Sequence, residues 1–409
     1  MNRRRMLVLT VSAVAMALVS ACGGSGGGQA ITVVIAEYSK DHTKPFWQGL
    51  AEQYTKQTGV KVDLRVIDWN SIDQQVSTMI QNNQRPDVLN LNSFSSYAKD
   101  GLLYPAADVL SPKTKDDFLE PFLRGGEYQG ALYGFPILSS ARAFFYNRDL
   151  LTKAGVAGPP KTWDEFVQAA KKIQATGAIG YALPLGPEEA QAEWAIWMWN
   201  NGGDWKSGDG WALNSDKNVQ TLRFLADLAN RHRVTQINPG KTNRTDGAFQ
   251  LFKDGKVGMV MGFSPLAAQL DAEKKVSYGV AEMPTAAGQS VTLGVEDYLM
   301  AFKKSGNQDS VKQFLDLYYQ PENITRWIAA EGFLPVTKSG LQQMSSNAKL
   351  KPYLDALPRA RLVPTTDPAW DRVKLDVQQN IGVAVQPGGN PKQVLDQLQK
   401  NAVAAAGSH

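Results

Sequence analysis

The chain has 409 residues, of which 43% are hydrophobic and 20% are charged, and its formal net charge at pH 7 is +4. These are ordinary values for a globular protein. The small net charge argues against a nucleic-acid-binding surface, which usually needs a concentrated basic face. The single cysteine excludes a disulfide framework.

The first 21 residues have the layout of an export signal. Arg3, Arg4 and Arg5 form a positive region, and the apolar run 6–19 follows it. The run is short for a membrane span. We therefore predict a signal peptide over 1–21, and the sequence leaves open whether export uses the general or the twin-arginine route.

The only cysteine, Cys22, lies between this apolar run and the glycine-rich stretch 23–30. A buried structural thiol, a catalytic nucleophile and an attachment point are the three interpretations of such a residue. The preceding residues, with Cys22 itself, read Val-Ser-Ala-Cys, which resembles a bacterial lipobox with Val in place of the commoner Leu. The resemblance implies cleavage before Cys22 and lipid attachment to its sulfur, and the alternative is an ordinary secretory signal with a chance cysteine. Residues 22–30 are thus predicted to be a lipidated cysteine and a flexible tether.

The start of the mature chain predicts an α/β fold. Residues 30–38 form an apolar run typical of a strand buried on both faces, and strands over 60–68 and 86–93 alternate with predicted helices. This order argues for a mostly parallel sheet flanked by helices. Ligands bind such sheets at the carboxyl ends of strands, which here are residues 38–41, 68–69 and 92–94. About 388 residues follow the signal, more than one core usually holds, so two lobes are expected.

The middle of the chain is mostly helical and rich in tryptophan. Thr162 and Glu165 form a predicted capping box at the start of a helix. A second helix, predicted over 188–205, carries Trp194 and Trp197 on one side.

No common catalytic arrangement is found in the sequence. The three histidines, the absence of a Gly-x-Ser-x-Gly elbow and the scarcity of His and Cys ligands disfavour a serine triad or a zinc site. Paired carboxylates such as Glu188–Glu189 or Glu296–Asp297 keep a secreted carbohydrate-active enzyme open as an alternative. We predict no catalytic residue, no metal and no cofactor.

Five stretches, read in order, resemble the bacterial extracellular solute-binding proteins of the carbohydrate-uptake class, with maltose-binding proteins as relatives. They are residues 85–105, 133–155, 160–173, 248–265 and 331–339. The resemblance implies a periplasmic-binding-protein type II fold of two α/β lobes joined by hinge crossovers. The lobes would be 31–138 with 280–332, and 140–278 with 336–405.

The same resemblance implies a function and a location. The protein would capture a sugar, a di- or oligosaccharide, between its lobes and deliver it to the membrane subunits of an ABC permease that has a separate ATPase. It would be a monomer without nucleic-acid partners, lipid-anchored to the outer face of the cytoplasmic membrane. The open alternative in the binding class is a non-sugar solute such as a glycerophosphodiester, a polyol or a polyamine.

Sugars are bound by aromatic rings against their C–H faces and by planar polar side chains around their hydroxyls. From strand ends and matches to the family we predict these ligand-binding residues: Tyr38, Asp41, Asn92, Ser93, Ser140, Arg142, Glu188, Gln191, Trp194, Trp197, Phe263, Glu296, Asp297 and Trp370.

Several of these positions carry an alternative interpretation. Trp370 matches a stacking tryptophan of maltose-binding relatives, but a tryptophan at a helix start also packs in a core, as does Trp197. Ser140 stands where maltose binders have Glu, which argues against maltose itself. Arg142 could pair with a carboxylate or contact ligand, and Asp41 could cap a helix.

Overall fold

The computed structural model describes residues 30–286, 288–304 and 306–407. The predicted signal peptide, Cys22 and the tether up to residue 29 lie outside the described residues. No helix in the described ranges is long and apolar enough to cross a membrane.

The fold alternates short strands with helices along most of the chain. The strands are β1 (Ile31–Glu37), β2 (Val62–Asp68), β3 (Val88–Leu91), β4 (Glu127–Tyr128), β5 (Ala131–Leu132), β6 (Phe135–Ala141), β7 (Ala143–Asn147), β8 (Ile179–Ala182), β9 (Lys206–Ser207), β10 (Gly210–Trp211), β11 (Val257–Gly262), β12 (Tyr278–Ala281), β13 (Thr292–Ala301) and β14 (Ala360–Arg361).

The α-helices are α1 (Thr43–Thr58), α2 (Trp69–Gln81), α3 (Ser95–Lys99), α4 (Ala106–Val109), α5 (Pro112–Asp117), α6 (Glu120–Gly125), α7 (Arg148–Lys153), α8 (Trp163–Ala175), α9 (Ala190–Trp199), α10 (Asp216–Asn230), α11 (Gln250–Lys253), α12 (Ser264–Glu273), α13 (Gln308–Tyr318), α14 (Pro321–Glu331), α15 (Lys338–Met344), α16 (Lys351–Leu354), α17 (Trp370–Asn380) and α18 (Pro391–Gly407). A π-helical turn, Arg244–Phe249, precedes α11.

The first sheet has the order β14-β13-β3-β1-β2, and β6 also pairs with β13. β1 runs parallel to both β2 and β3, as the β-α-β-α-β opening of the sequence predicts. β13 runs antiparallel to β3 and to β6. The carboxyl ends of β1, β2 and β3 therefore meet at one edge of this sheet, where the cleft described below begins.

The second sheet has the order β12-β7-β11-β8. β8 and β11 are parallel, whereas β7 is antiparallel to both β11 and β12. Helix α8 packs on this sheet and begins at the predicted cap, where Thr162 Oγ1 accepts from the Glu165 amide at 3.2 Å. The Glu165 carboxylate accepts from the amide of Lys161 rather than from that of Thr162, at 2.8 Å.

The two sheets are joined where Arg142 alone separates β6 from β7. Its amide donates to the Leu293 carbonyl at 2.9 Å, so the second passage of the chain, which enters β13, lies directly beside the first. The segment near Leu334 bridges Ser139 through two backbone hydrogen bonds of 3.1 and 2.9 Å. Three passages of the chain therefore run side by side between the sheets, as hinge crossovers require.

Candidate functional site

A cleft of about 530 Å³ lies between elements of the first sheet and elements of the second lobe. Its first wall comes from α2, the end of β3 and α3, and its second from α17, Asn243 and the segment that leads into α9. Small-molecule sites usually have volumes of roughly 300–1,000 Å³. The cleft therefore has the size of a small-molecule site.

The first wall follows from the ends of the parallel strands. Asn92 and Ser93, both predicted ligand-binding residues, line the cleft immediately after β3. Trp69 lines it immediately after β2, where Asp68 caps α2 by accepting from the Asn70 amide at 2.9 Å. Sequence analysis placed Trp69 at a strand end without choosing it, although its ring is a partly exposed aromatic surface of the cleft.

The second wall contains Glu188 and Gln191, also predicted residues. Gln191 is 6% exposed, and its Oε1 has no hydrogen-bond partner among the described residues. The Glu188 carboxylate accepts from the Thr245 amide at 2.9 Å and from Arg244 Nη2 at 3.2 Å. Burial alone would raise the pKa of Glu188, but Arg244 and Thr245 more than offset it, so its pKa lies below the ordinary value.

Behind this wall lies a buried ionic cluster at the hinge. Glu189 accepts from Arg142 Nη2 at 2.6 Å and also bonds Arg244. Burial lowers the pKa of each arginine to about 10, so both remain charged at neutral pH. Arg142 therefore pairs with a carboxylate, one of the two roles predicted for it.

Phe263 packs beneath both guanidinium groups of this cluster. Its ring centroid is 4.1 Å from Cζ of Arg142 and 5.0 Å from Cζ of Arg244. The ring is 8% exposed and is absent from the lining of the cleft. Phe263 thus supports the arginines by cation–π contact rather than offering its ring to the cleft.

Tyr38 and Asp297 meet beneath the cleft. The Tyr38 hydroxyl donates to Asp297 Oδ2 at 2.8 Å and lies 3.1 Å from Asn90 Oδ1. Burial raises the pKa of Asp297 to about 6, although the Tyr38 bond and the Arg142 charge lower it. Neither Tyr38 nor Asp297 lines the cleft, so they form part of its supporting layer.

Glu296 lies on the same strand, β13, and lines a second cavity of about 30 Å³ behind the cleft. Its carboxylate accepts from the Tyr298 hydroxyl at 2.8 Å. Burial raises the pKa of Glu296 to about 8. Glu296 is therefore mostly protonated at neutral pH and carries little charge toward this cavity.

The predicted tryptophans are buried in the core of the second lobe. Trp197 donates to Glu193 Oε1 at 2.8 Å, and the Trp194 ring meets Trp205 edge-on at 5.0 Å. Trp370 is 1% exposed, meets the same Trp205 ring at 5.0 Å and lines the 30 Å³ cavity. Trp194 and Trp197 thus occupy core positions, and Trp370 lies behind the cleft rather than in it.

The remaining two predicted residues lie away from the cleft. Asp41 is exposed in the turn before α1, whose N-cap is His42, so Asp41 is not the helix cap either. Ser140 is 2% exposed within β6 and pairs with Val295.

Sequence analysis also missed polar residues that helices, and the residue just before the π-helical turn, bring to the cleft. They include Asp73, Ser96, Asn243, Lys374 and Gln378. Lys374 follows Trp370 by one helical turn, and this spacing is the one signal that could have identified it. Within the described ranges no group of three or more His, Cys, Asp or Glu side chains could hold a metal ion.

Comparisons with known proteins agree on one family. Residues 49–352 match the model of the bacterial extracellular solute-binding proteins. A binding protein of Brucella abortus (strain 2308) is 30% identical over 398 residues, which cover 94% of each chain. The diacetylchitobiose-binding protein DasA of Streptomyces coelicolor is 25% identical over 424 residues, covering 97% of each.

Solved structures show the same two-lobe fold. Maltose-bound MalE3 of T. maritima superimposes with a TM-score of 0.80 at 19% identity, covering 92% of this chain and 99% of that one. UgpB of Mycobacterium tuberculosis in complex with glycerophosphocholine gives a TM-score of 0.77 at 17% identity, covering 94% and 99%. The predicted α/β, two-lobe periplasmic-binding-protein fold is confirmed. The chain belongs to the bacterial extracellular solute-binding protein family.

Proposed function

We propose that this protein is the substrate-binding lipoprotein of an ABC importer and that it captures a neutral di- or oligosaccharide in the cleft. Family membership supports export and solute binding. The diacetylchitobiose-binding relative and sugar-bound neighbours with the same fold support a saccharide. The non-sugar alternative is supported by glycerophosphate-binding relatives, such as UgpB of Rhizobium meliloti, which is 27% identical over 63% of this chain.

The observation that carries the proposal is the balance of charge around the cleft. Four carboxylates and two cations line it. Arg142 and Arg244 stand directly behind Glu188 and Glu189 and supply two more positive charges. An anionic or cationic solute would need an unbalanced partner, because a buried charge is stable only when it is paired. A neutral solute needs none.

The uncharged side chains that line the cleft can bind the hydroxyls and the C–H face of a sugar. Seven Asn and Gln side chains line the cleft, and each amide can both donate and accept hydrogen bonds. Trp69 adds a partly exposed aromatic ring against which C–H groups can pack. This combination matches the two kinds of contact that a sugar offers.

The proposed lobes are 31–138 with 280–332, and 140–278 with 336–405, hinged at Arg142 and its neighbouring passages. Within the last segment, β14 reaches back to pair with β13 of the first sheet. Closing the lobes on a sugar would exclude water and strengthen the hydrogen bonds around it. We propose that the closed protein, a monomer, then docks on the permease while the lipid on Cys22 keeps it at the membrane surface. Arginines hold both Glu188 and Glu189, which argues against these two carboxylates acting as the acid and base of an enzyme.

Calorimetry of the mature protein tests the proposal. Diacetylchitobiose, maltose, maltotriose and laminaribiose should be compared with glycerophosphocholine, sn-glycerol-3-phosphate and a polyamine. At least one neutral saccharide should bind with one-to-one stoichiometry, raise the melting temperature and remain unchanged chemically. Binding of glycerophosphocholine, sn-glycerol-3-phosphate or the polyamine without binding of any saccharide would contradict the proposal, and release of sugar products would favour the enzyme.

Cys22 is tested separately by labelling cells with a tagged fatty acid. The wild-type chain should incorporate the label, and a Cys22→Ser variant should not. Equal labelling of the two chains would exclude the anchor while leaving the sugar-binding proposal untouched.

A further inference from the structure

The side chain of Lys374 spans the cleft between the two lobes. It belongs to α17, which packs on α9 and α18, and it is only 4% exposed. Its ammonium group is 3.0 Å from Asp73 Oδ2 in α2 and 3.1 Å from Asn92 Oδ1 at the end of β3. One side chain of the second lobe is thus held by two side chains of the first.

The same residue forms part of the wall between two cavities. The 530 Å³ cleft and the 30 Å³ cavity share four lining residues, namely Asn92, Glu189, Gln191 and Lys374. The hydrogen bond between Lys374 and Asn92 joins two members of this wall. The smaller cavity, which we call the inner chamber, therefore lies behind a contact that spans the lobes.

The inner chamber has the lining of a binding compartment. Trp370 contributes its indole, Thr365 its hydroxyl and Gln191 an amide whose Oε1 has no partner in the described ranges. A volume of about 30 Å³ has room for about two water molecules. In this arrangement the chamber could admit a hydroxyl or hydroxymethyl group but not a sugar ring.

We propose that Lys374 is a specificity-determining gate, which closes the inner chamber when the lobes are together and opens it when they separate. The inference rests on the proposed function, since it concerns which part of a saccharide can reach Trp370. The gate follows from the geometry, because moving α2 away from α17 removes Asp73 from Lys374. A ligand group must then enter the chamber before the lobes close, and only a small hydroxyl-bearing group can remain there.

A neighbouring hydrogen bond also joins the two lobes. The Ser96 hydroxyl donates to Asp371 Oδ2 at 2.7 Å, which again joins α3 of the first lobe to α17. Burial lowers the pKa of Lys374, but the charges of Asp73 and Asp371 more than offset it, so the ammonium keeps its proton and its hold on Asp73.

Thiol reactivity tests the gate without any sugar. Cys22 is the only cysteine, so a Cys22→Ser background leaves an introduced thiol as the single reactive site. Thr365→Cys would place a thiol at the inner chamber, where Thr365 is 7% exposed. Lys374 contacts Asp73 directly, without a ligand between them, so the gate should be closed even without sugar. Methyl methanethiosulfonate should therefore modify this thiol slowly in the otherwise wild-type chain. Adding Lys374→Ala or Asp73→Ala should raise the rate about tenfold, which corresponds to about 1.4 kcal/mol of lost closed-state preference.

A control thiol and a second gate variant make the labelling experiment decisive. Thr221→Cys is a matched control, because Thr221 is fully buried in α10, and its rate should stay low in every background. Asp73 has a side chain that is 44% exposed, so Asp73→Ala should fold even where Lys374→Ala does not. An unchanged Thr365→Cys rate, or equal increases at both thiols, would overturn the gate. Because no sugar is present, the result is independent of whether the saccharide proposal holds.

Discussion

Charged residues are arranged differently at the rim of the cleft, where Asp73 pairs with Lys374, and at its floor, the buried ionic cluster of Arg142, Glu189 and Arg244. At the rim, Asp73 is 44% exposed and pairs with a single lysine, within reach of solvent. At the floor, Arg142 and Glu189 have side chains that are 2% and 8% exposed, and Arg244 joins them. Solvent can replace the partner of the exposed Asp73 carboxylate, whereas at the floor neither partner is within reach of solvent. The rim can therefore vary with the ligand, and the floor must be kept for the fold.

The largest effect is expected from breaking the floor. Arg142→Met would leave two buried carboxylates, Glu188 and Glu189, to share Arg244 alone. The free energy of unfolding should fall by about 3–5 kcal/mol, because one buried negative charge is then uncompensated. Denaturant unfolding of the ligand-free protein measures it. Arg65→Met is the matched control, since Arg65 and Asp63 form a pair with side chains 47% and 51% exposed, worth at most about 1 kcal/mol. Equal losses in the two variants would remove the distinction between floor and rim.

Trp370 should behave as a core residue. Trp370→Ala should cost about 3–5 kcal/mol of stability, because it empties space beside Trp205 and Trp211. Thermal unfolding of the ligand-free variant measures the loss. A stable variant with weakened saccharide binding would instead make ligand stacking the main role of Trp370, as the family resemblance implies.

Trp69 should show the opposite behaviour. Trp69→Ala should weaken binding of the saccharide found by calorimetry by about 1–3 kcal/mol, because one aromatic contact is lost. Its melting temperature should change less than that of Trp370→Ala, since the Trp69 ring is partly exposed. Unaltered affinity in Trp69→Ala would remove this ring from the proposed site.

The smallest effect is the pH dependence of stability that the buried Glu296 carboxyl produces. The pKa of Glu296 is raised by burial to about 8 in the folded protein, so the folded state binds this proton more tightly than the unfolded state. Its contribution to stability is present below the unfolded pKa and is lost as pH rises toward 8. Between pH 6 and pH 7 the free energy of unfolding should fall by at most about 1.4 kcal/mol more in the wild type than in Glu296→Gln, whose amide cannot titrate.

Urea unfolding of both chains at the two pH values measures this difference. Parallel pH dependence in the wild type and Glu296→Gln would contradict the raised pKa. Asp297, whose pKa is raised to about 6, titrates in both chains, and because its charge also raises the pKa of Glu296, the comparison reports on the coupled pair.

Some of the candidate site could be predicted from strand ends and from the family resemblance. Asn92 and Ser93 were found because a short apolar strand ends there, and Glu188 and Gln191 because their segment matches a ligand-facing loop. All four line the cleft. Lys374 could not be found in this way, since its partner Asn92 is 282 residues away and no local pattern connects them.

The tryptophans show why sequence pattern alone misplaced part of the site. Every residue of α9 is buried, so the helix has no polar face that would indicate which side meets solvent. Its end was also predicted several residues too late. The helix stops at Trp199, and Gly202 then adopts a φ of 78°, a left-handed conformation that favours glycine.

The sequence by itself determined the alternation of strands and helices, the parallel opening of the first sheet and the family. These properties depend on local hydrophobic patterns and on motifs that are contiguous in the chain. Only the tertiary structure decided that Phe263 lies beneath Arg142 and that Lys374 reaches Asp73. Such contacts join segments far apart in the chain, and their strength depends on burial, which exists only once both lobes have packed.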